Sequence, residues 1–386
     1  MSNDQLETKL IHAASNPQIE HKTGAVNVPI YLSSTYHQEH FDTFGPYDYS
    51  RSGNPTRAAL ESTIAQLENG ESGFAFASGI AAISASFMLL SAGDHALVSE
   101  DVYGGTYRFV TEVLPRFNIT HSFVDMTDLE AVNHAMESNT KLLYMETPSN
   151  PCMDITDIKG VVAIAKENNC YTFLDNTFMS PLYQKPLNLD VEIVLHSATK
   201  FLSGHSDIIA GLAVTKDEEL AQKLGFMQNS LGNMLGAQDS YHLIQGIKTL
   251  GARLHQSSEA ANEIAAYLNE HDAIKTVYYP GLPSHKGHEL HFSQAKSGGA
   301  VFSFELADDV SPKIFAESIR LPIFAVSLGA VESILSYPGT MSHAAMPKEE
   351  REKRGIGDGL FRLSVGLEHT EDLIQDLNQA IEKAKK

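Results

Sequence analysis

Short apolar runs recur along the first two thirds of the chain, and each gives way to small or polar residues. GFAFAS, HALVSE, ITHSFVD, KLLYMET, YTFLDN, EIVLHS and GLAVTK are of strand length and bounded by turn formers. Between several of them lie segments with apolar residues at helical spacing, such as DIKGVVAIAKENN. This alternation predicts an α/β fold, a mostly parallel central sheet with helices on both faces. Ligands of such sheets gather beyond the carboxyl ends of the strands. The residues that close each run are therefore the ones to read for chemistry.

Ahead of the alternation, residues 1–48 mix turn formers with one apolar piece, VNVPIYLSSTY, and read as an extended arm. SGNPTRAALESTIAQLENG predicts a helix. Asn54 can cap it, Pro55 suits its first position, Leu60, Ile64 and Leu67 share a face, and Asn69-Gly70 ends it. From Ala237 to His271 the spacing predicts one long helix. Beyond it, TVYYPGL, GAVFSFEL and LFRLSVG read as strands of a smaller α+β unit, closed by the charged helix EDLIQDLNQAIEKAKK. The division expected is an arm (1–48), a large domain (49–245) and a C-terminal small domain (246–386).

Composition narrows the partners. A net charge of −20 on 386 residues repels phosphate backbones and anionic lipid, which argues against nucleic acid and membrane surfaces. A small anionic ligand is still compatible, because a local site can be positive. Two cysteines, Cys152 and Cys170, are too few for a disulfide framework and read as core residues. MSNDQLETKL lacks the basic and apolar regions of a signal peptide, so a cytoplasmic location is expected. The uncharged stretch from Ser72 to Gly93 is long enough to cross a bilayer. Its five serines and three glycines fit a strand, a turn and a buried helix instead.

Three strand ends carry unusual groups. Asp175 closes YTFLDN, and a lone buried carboxylate is costly without a cation or donors. EIVLHSATK delivers Lys200 beside Ser197 and Thr199. FAFASGIAA makes a Ser-Gly turn into an apolar helix, which aims the amides of Gly79 and Ile80 outward as a seat for phosphate. Together they suggest pyridoxal 5'-phosphate (PLP). The lysine would bond its aldehyde, the acid would hold its ring nitrogen protonated, and the hydroxyls and amides would take its phosphate. A structural network of perturbed groups is the alternative that spacing alone leaves open.

SATKFLSGHSD, YSRSGNPTR, DVYGGTYR, ETPSNP, LDNTF and RLSVGLEH closely resemble the Cys/Met-metabolism family of PLP enzymes, which are of fold type I. That family includes cystathionine synthases and lyases and methionine γ-lyase, and the likeness runs over practically the whole chain. The stretch FAVSLGAVESILSYPGTMSHAAMPKEEREKRG is most similar to the bacterial members that cleave cystathionine at its β-carbon. The resemblance implies the PLP-dependent transferase fold, with residues 49–245 as the PLP-binding domain. It implies Lys200 as the Schiff-base lysine, Asp175 as the ring-nitrogen partner, and Gly79, Ile80, Ser197 and Thr199 around the phosphate. Tyr103 resembles the residue that stacks on the ring and assists proton transfer, and Asn150 the residue near the ring hydroxyl. Ser327 and Arg362 resemble substrate-binding residues, with Arg362 gripping the carboxylate. Tyr49 and Arg51 resemble residues that reach the neighbouring subunit's phosphate, which implies a homotetramer built of dimers that share active sites.

The activity implied is β-elimination of L-cystathionine to homocysteine, pyruvate and ammonia, a transsulfuration step of methionine biosynthesis. Cysteine desulfhydrase activity could accompany it. Gly105 stands where methionine γ-lyases carry a cysteine, and Val326 where cystathionine γ-synthases and γ-lyases often carry a glutamate; both favour the β-course. Gln245 departs from an arginine common at that point. The alternatives are γ-lyase, γ-synthase or methionine γ-lyase activity and, from another class, a PLP-holding protein without catalysis. His285, His288 and His291 in SHKGHELH read as an exposed loop rather than a metal site. His196 and His205 read as hydrogen-bonded packing residues.

Overall fold

A computed structural model describes residues 4–14, 24–341 and 348–385. The predicted strands are all present: β1 Ser72–Phe76, β2 His95–Ser99, β3 Thr120–Val124, β4 Thr140–Glu146, β5 Tyr171–Asp175, β6 Ile193–Ser197 and β7 Gly211–Thr215. They form one seven-stranded sheet in the order β1-β7-β6-β5-β4-β2-β3. Strands β6, β5, β4, β2 and β3 pair in parallel, and only β7 runs against its neighbours β6 and β1. One face packs on the helices Pro55–Glu68 and Ile158–Glu167. The other packs on Gly79–Phe87 and Gly104–Glu112.

Two of the predicted helices show how local sequence positions the sheet. Asn54 accepts from the amides of Thr56 and Arg57 at 3.0 and 3.2 Å, and Asn69 leaves the helix in the left-handed conformation, so Pro55–Glu68 is capped at both ends. The arm lies along the start of this helix, where Asn54 donates to the Tyr31 carbonyl and Thr56 to that of Pro29. The uncharged stretch resolves into β1 and the helix Gly79–Phe87, with Ser78 as cap. No helix among the described residues is long and apolar enough to cross a membrane.

The long helix expected from Ala237 to His271 is two, Ala237–Lys248 and Leu250–Asn269, broken at Thr249. Gly246 lies so close to the Ser203 carbonyl that a Cβ would sit 2.3 Å from it. Arg253 then folds back onto the break, donating to the Gly246 carbonyl at 2.8 Å and the Thr249 hydroxyl at 3.1 Å.

The C-terminal strands β8 Ile274–Tyr278, β9 Val301–Leu306, β10 Ile323–Phe324, β11 Ile334–Ser336 and β12 Leu360–Ser364 make a second, five-stranded sheet ordered β10-β11-β12-β9-β8. It has its own core of Phe302, Phe304, Phe315 and Phe361. The histidine segment is not a solvated loop. His288 opens the helix His288–Gln294, and His291 is fully buried with Nε2 2.7 Å from the Ser297 carbonyl. Part of the lyase-like stretch, 342–347, lies outside the described residues.

Candidate active site

The carboxyl ends of β4, β5 and β6 lie side by side, as the register pairs Glu146 with Asp175 and Asp175 with Leu195. Asp175 is buried, and its Oδ1 accepts from both the amide and the hydroxyl of Thr177. The same hydroxyl accepts from the Ser197 amide at 2.8 Å, so Thr177 ties the end of β5 to the end of β6. Burial raises the Asp175 pKa, while the two Thr177 bonds, His196 and Lys200 oppose the rise.

Lys200 follows β6 in a turn where Thr199 exchanges hydrogen bonds with Ala210. Its amine donates to the Ser327 hydroxyl at 2.7 Å. Burial, and then the charge of Arg362, bring its pKa down to about 8, against the pull of Asp175. Ser327 is held in the left-handed region (φ 86°), and its carbonyl accepts from Arg362 Nη2 at 2.8 Å. Arg362 projects from β12, is almost fully buried, and donates through Nη1 to Asn150 Oδ1 at 2.7 Å. The site thus stands where the two sheets meet.

Glycine shapes the opposite wall. A Cβ on Gly79 would lie 2.8 Å from Ser197 Cβ, so only glycine lets the N-terminus of helix Gly79–Phe87 reach the end of β6. Tyr103 caps the helix Gly104–Glu112 and is about half exposed. Its ring crosses Gly105, where a Cβ would meet Tyr103 Cε1 at 2.3 Å.

The predicted Gly79, Ser197, Lys200, Asp175, Asn150, Ser327 and Arg362 are therefore gathered at the strand ends and the β11–β12 edge. Tyr49 and Arg51 form a separate, exposed pair, with the guanidinium 5.6 Å from the ring centroid and 3.1 Å from the Asn229 carbonyl. Sequence reading missed Glu146, whose Oε2 accepts from the Tyr103 amide at 3.0 Å. Burial and the neighbouring Asp175 push Glu146 well above the usual carboxylate range. It missed Thr177 as well. Both stand in quoted motifs, ETPSNP and LDNTF, and Glu146 obeys the same strand-end rule as Asp175.

The residues present fit PLP. A largely buried lysine of lowered pKa suits an aldehyde, a carboxylate held from behind by Thr177 suits a ring nitrogen, and first-turn amides suit a phosphate. Arg362 Nε is buried without a protein partner, which leaves the guanidinium a free edge for a carboxylate. Among the described residues no cluster of three or more His, Cys, Asp or Glu could hold a metal ion.

The family described as Cys/Met metabolism PLP-dependent enzyme matches residues 7–382. Cystathionine beta-lyase MetC of Bacillus subtilis is 62% identical over 98% of this chain and 96% of its own length. A cystathionine beta-lyase of Lactococcus lactis is 50% identical over 98% and 99%. A solved cystathionine gamma-lyase of Lactobacillus plantarum, complexed with L-serine, superposes with a TM-score of 0.96 at 45% identity and covers 99% of both chains. The chain belongs to the Cys/Met metabolism family of PLP-dependent enzymes and has the fold of type I.

Proposed function

We propose that this PLP-dependent carbon–sulfur lyase converts L-cystathionine and water to homocysteine, pyruvate and ammonia by β-elimination. The observation that carries the reading is one amine in one setting. Lys200 is largely buried, its pKa is about 8, and it stands between Arg362 and Asp175 at the junction of the sheets.

Bound PLP would supply an aldehyde for the substrate amine and an electron-deficient ring to take up charge from Cα. The residues supply the rest. Asp175 would hold the ring nitrogen's proton, while Gly79, Ile80, Ser197 and Thr199 would seat the phosphate. Tyr103 would cover the ring, and Asn150 would stand by its hydroxyl while it braces Arg362. Arg362 offers Nε and its spare Nη hydrogens to the substrate carboxylate, with Ser327 alongside. This fixes Cα within reach of Lys200. The Lys200 amine, uncharged in part near neutral pH, takes the Cα proton and delivers it to the departing sulfur, with Tyr103 assisting. Val326, exposed beside Ser327, offers no charge to a distal ammonium.

The quaternary reading is a homotetramer in which Tyr49 and Arg51 complete the neighbour's phosphate site. Exposed apolar side chains along the arm, Val26, Leu32, Phe41 and Phe44, support it. A cytoplasmic setting accords with two free, buried cysteines.

A γ-course is the second reading, because a γ-lyase structure superposes so closely. The keto acid released from L-cystathionine decides. Pyruvate with homocysteine is expected; 2-oxobutyrate with cysteine would replace the β-reading by the γ-reading.

A further inference from the structure

Behind the sheet from Ser197 lies a buried pair that the mechanism leaves unused. Glu68 and His196 are essentially inaccessible to solvent, and His196 Nε2 is 2.7 Å from Glu68 Oε1. Successive strand residues face opposite sides, so His196 points away from Ser197 toward the helix Pro55–Glu68, which ends at Glu68. The same Glu68 oxygen accepts from Asn176 Nδ2 at 3.0 Å, and Asn176 is the residue after Asp175. Asn176 is locked further by Gln184, through bonds of 2.9 and 3.1 Å. One carboxylate therefore grips the ends of both strands that carry Asp175 and the Lys200 turn.

Stability does not explain this pair. A buried ion pair generally loses to apolar residues of similar volume, because desolvation offsets its attraction. Glu68 stands at the C-terminal end of a helix, where the dipole opposes an anion. Glu68 Oε2 and His196 Nδ1 are both buried without partners. The cost falls immediately behind Asp175, whose ionised form His196 favours.

We propose that Glu68, by gripping His196 and Asn176 together, is a positioning device that holds Asp175 aimed at the ring nitrogen of the cofactor. The proposal rests on the assignment of Asp175 made above. It gives β6 a second task, with phosphate contacts on one face and the grip that sets the acid on the other.

The test titrates PLP into apoprotein of the wild type and of His196→Gln, Glu68→Gln, Asp175→Asn and His196→Gln/Asp175→Asn, reading the dissociation constant and the visible spectrum of the bound cofactor. His196→Gln removes one bond to the Glu68 carboxylate, so binding should weaken roughly tenfold. Glu68→Gln should follow in the same direction. On the Asp175→Asn background His196→Gln should add little, because the group it acts through is gone. Unchanged affinity and spectrum in His196→Gln, or an equal loss on both backgrounds, overturns the proposal. Asp175→Asn without effect would instead overturn the assignment of Asp175. A crystal structure of the wild-type holoenzyme reads the arrangement directly, whether or not the variants fold. Asp175 within hydrogen-bond distance of the ring nitrogen, with Glu68 still bonded to His196 and Asn176, supports the proposal, and loss of either Glu68 contact in the holoenzyme overturns it.

Discussion

An amine that titrates at about 8 instead of 10.5 is charged below that pH and free above it. Burial and Arg362 disfavour its charged form, while Asp175 favours it. In apoprotein, reductive methylation of Lys200 should therefore rise with pH around a midpoint near 8. Removing the Asp175 charge removes the pull that raises the value, so Asp175→Asn moves the midpoint lower; a midpoint near 10 in either protein contradicts the burial argument. Arg362 is the other residue whose chemistry depends on its surroundings. Asn150 and the Ser327 carbonyl hold two of its nitrogens, and the third is left without a partner. Arg362→Lys keeps a charge but loses the fork. A hydrogen bond to a charged group contributes about 1.5–3 kcal/mol, so KM for L-cystathionine should rise roughly 10- to 100-fold with a smaller change in kcat. A loss confined to kcat would place Arg362 elsewhere in the mechanism.

Elements bring these residues together, and here the sequence was legible unevenly. Each of the first seven strands announced itself as an apolar run, and Asp175 and Lys200 stood out because they close such runs. Strands β10 and β11 are two and three residues long, too short for any alternation to register. The break at Thr249 follows from the approach of Gly246 to Ser203, a tertiary contact with no local signal. Arg362 lies in the second sheet and Ser327 in the loop between its strands β10 and β11, and only the family resemblance joined them to Lys200, since nothing in a linear pattern says that β12 meets the turn after β6. Glu146 was legible in principle, but an acid before Thr-Pro reads equally well as a turn residue. The helix Gly79–Phe87 abuts β6 closely. Gly79→Ala would thrust a Cβ to 2.8 Å from Ser197 Cβ and 3.0 Å from its Oγ, and overpacking of this kind costs about 1–3 kcal/mol. Equilibrium titration of PLP should find affinity lowered about tenfold or more, with a fall in the apoprotein melting temperature. Full retention of affinity would mean that this helix end has room to spare.

At the scale of the molecule, a single chain leaves its arm partly unexplained. Val26 is 91% exposed and Phe41 fully so, yet the arm is anchored to the helix Pro55–Glu68 by hydrogen bonds from Asn54 and Thr56. An ordered segment that holds apolar side chains in solvent is shaped for a neighbour, and in a two-fold dimer each chain gives what it receives. Arg51 sits at the base of that arm on the Asn229 carbonyl, apart from Lys200. If Arg51 serves the partner's phosphate site, Arg51→Ala and Lys200→Ala damage different subunits of the same site. Each variant alone should be nearly inactive. Refolded together as an equal mixture, half of the dimers would pair one of each. In those dimers the intact Lys200 faces an intact Arg51 at one of two sites, so activity should recover to about a quarter of the wild-type value. A mixture no more active than its components would mean that each chain builds its site alone, and the exposed arm would then need a different partner.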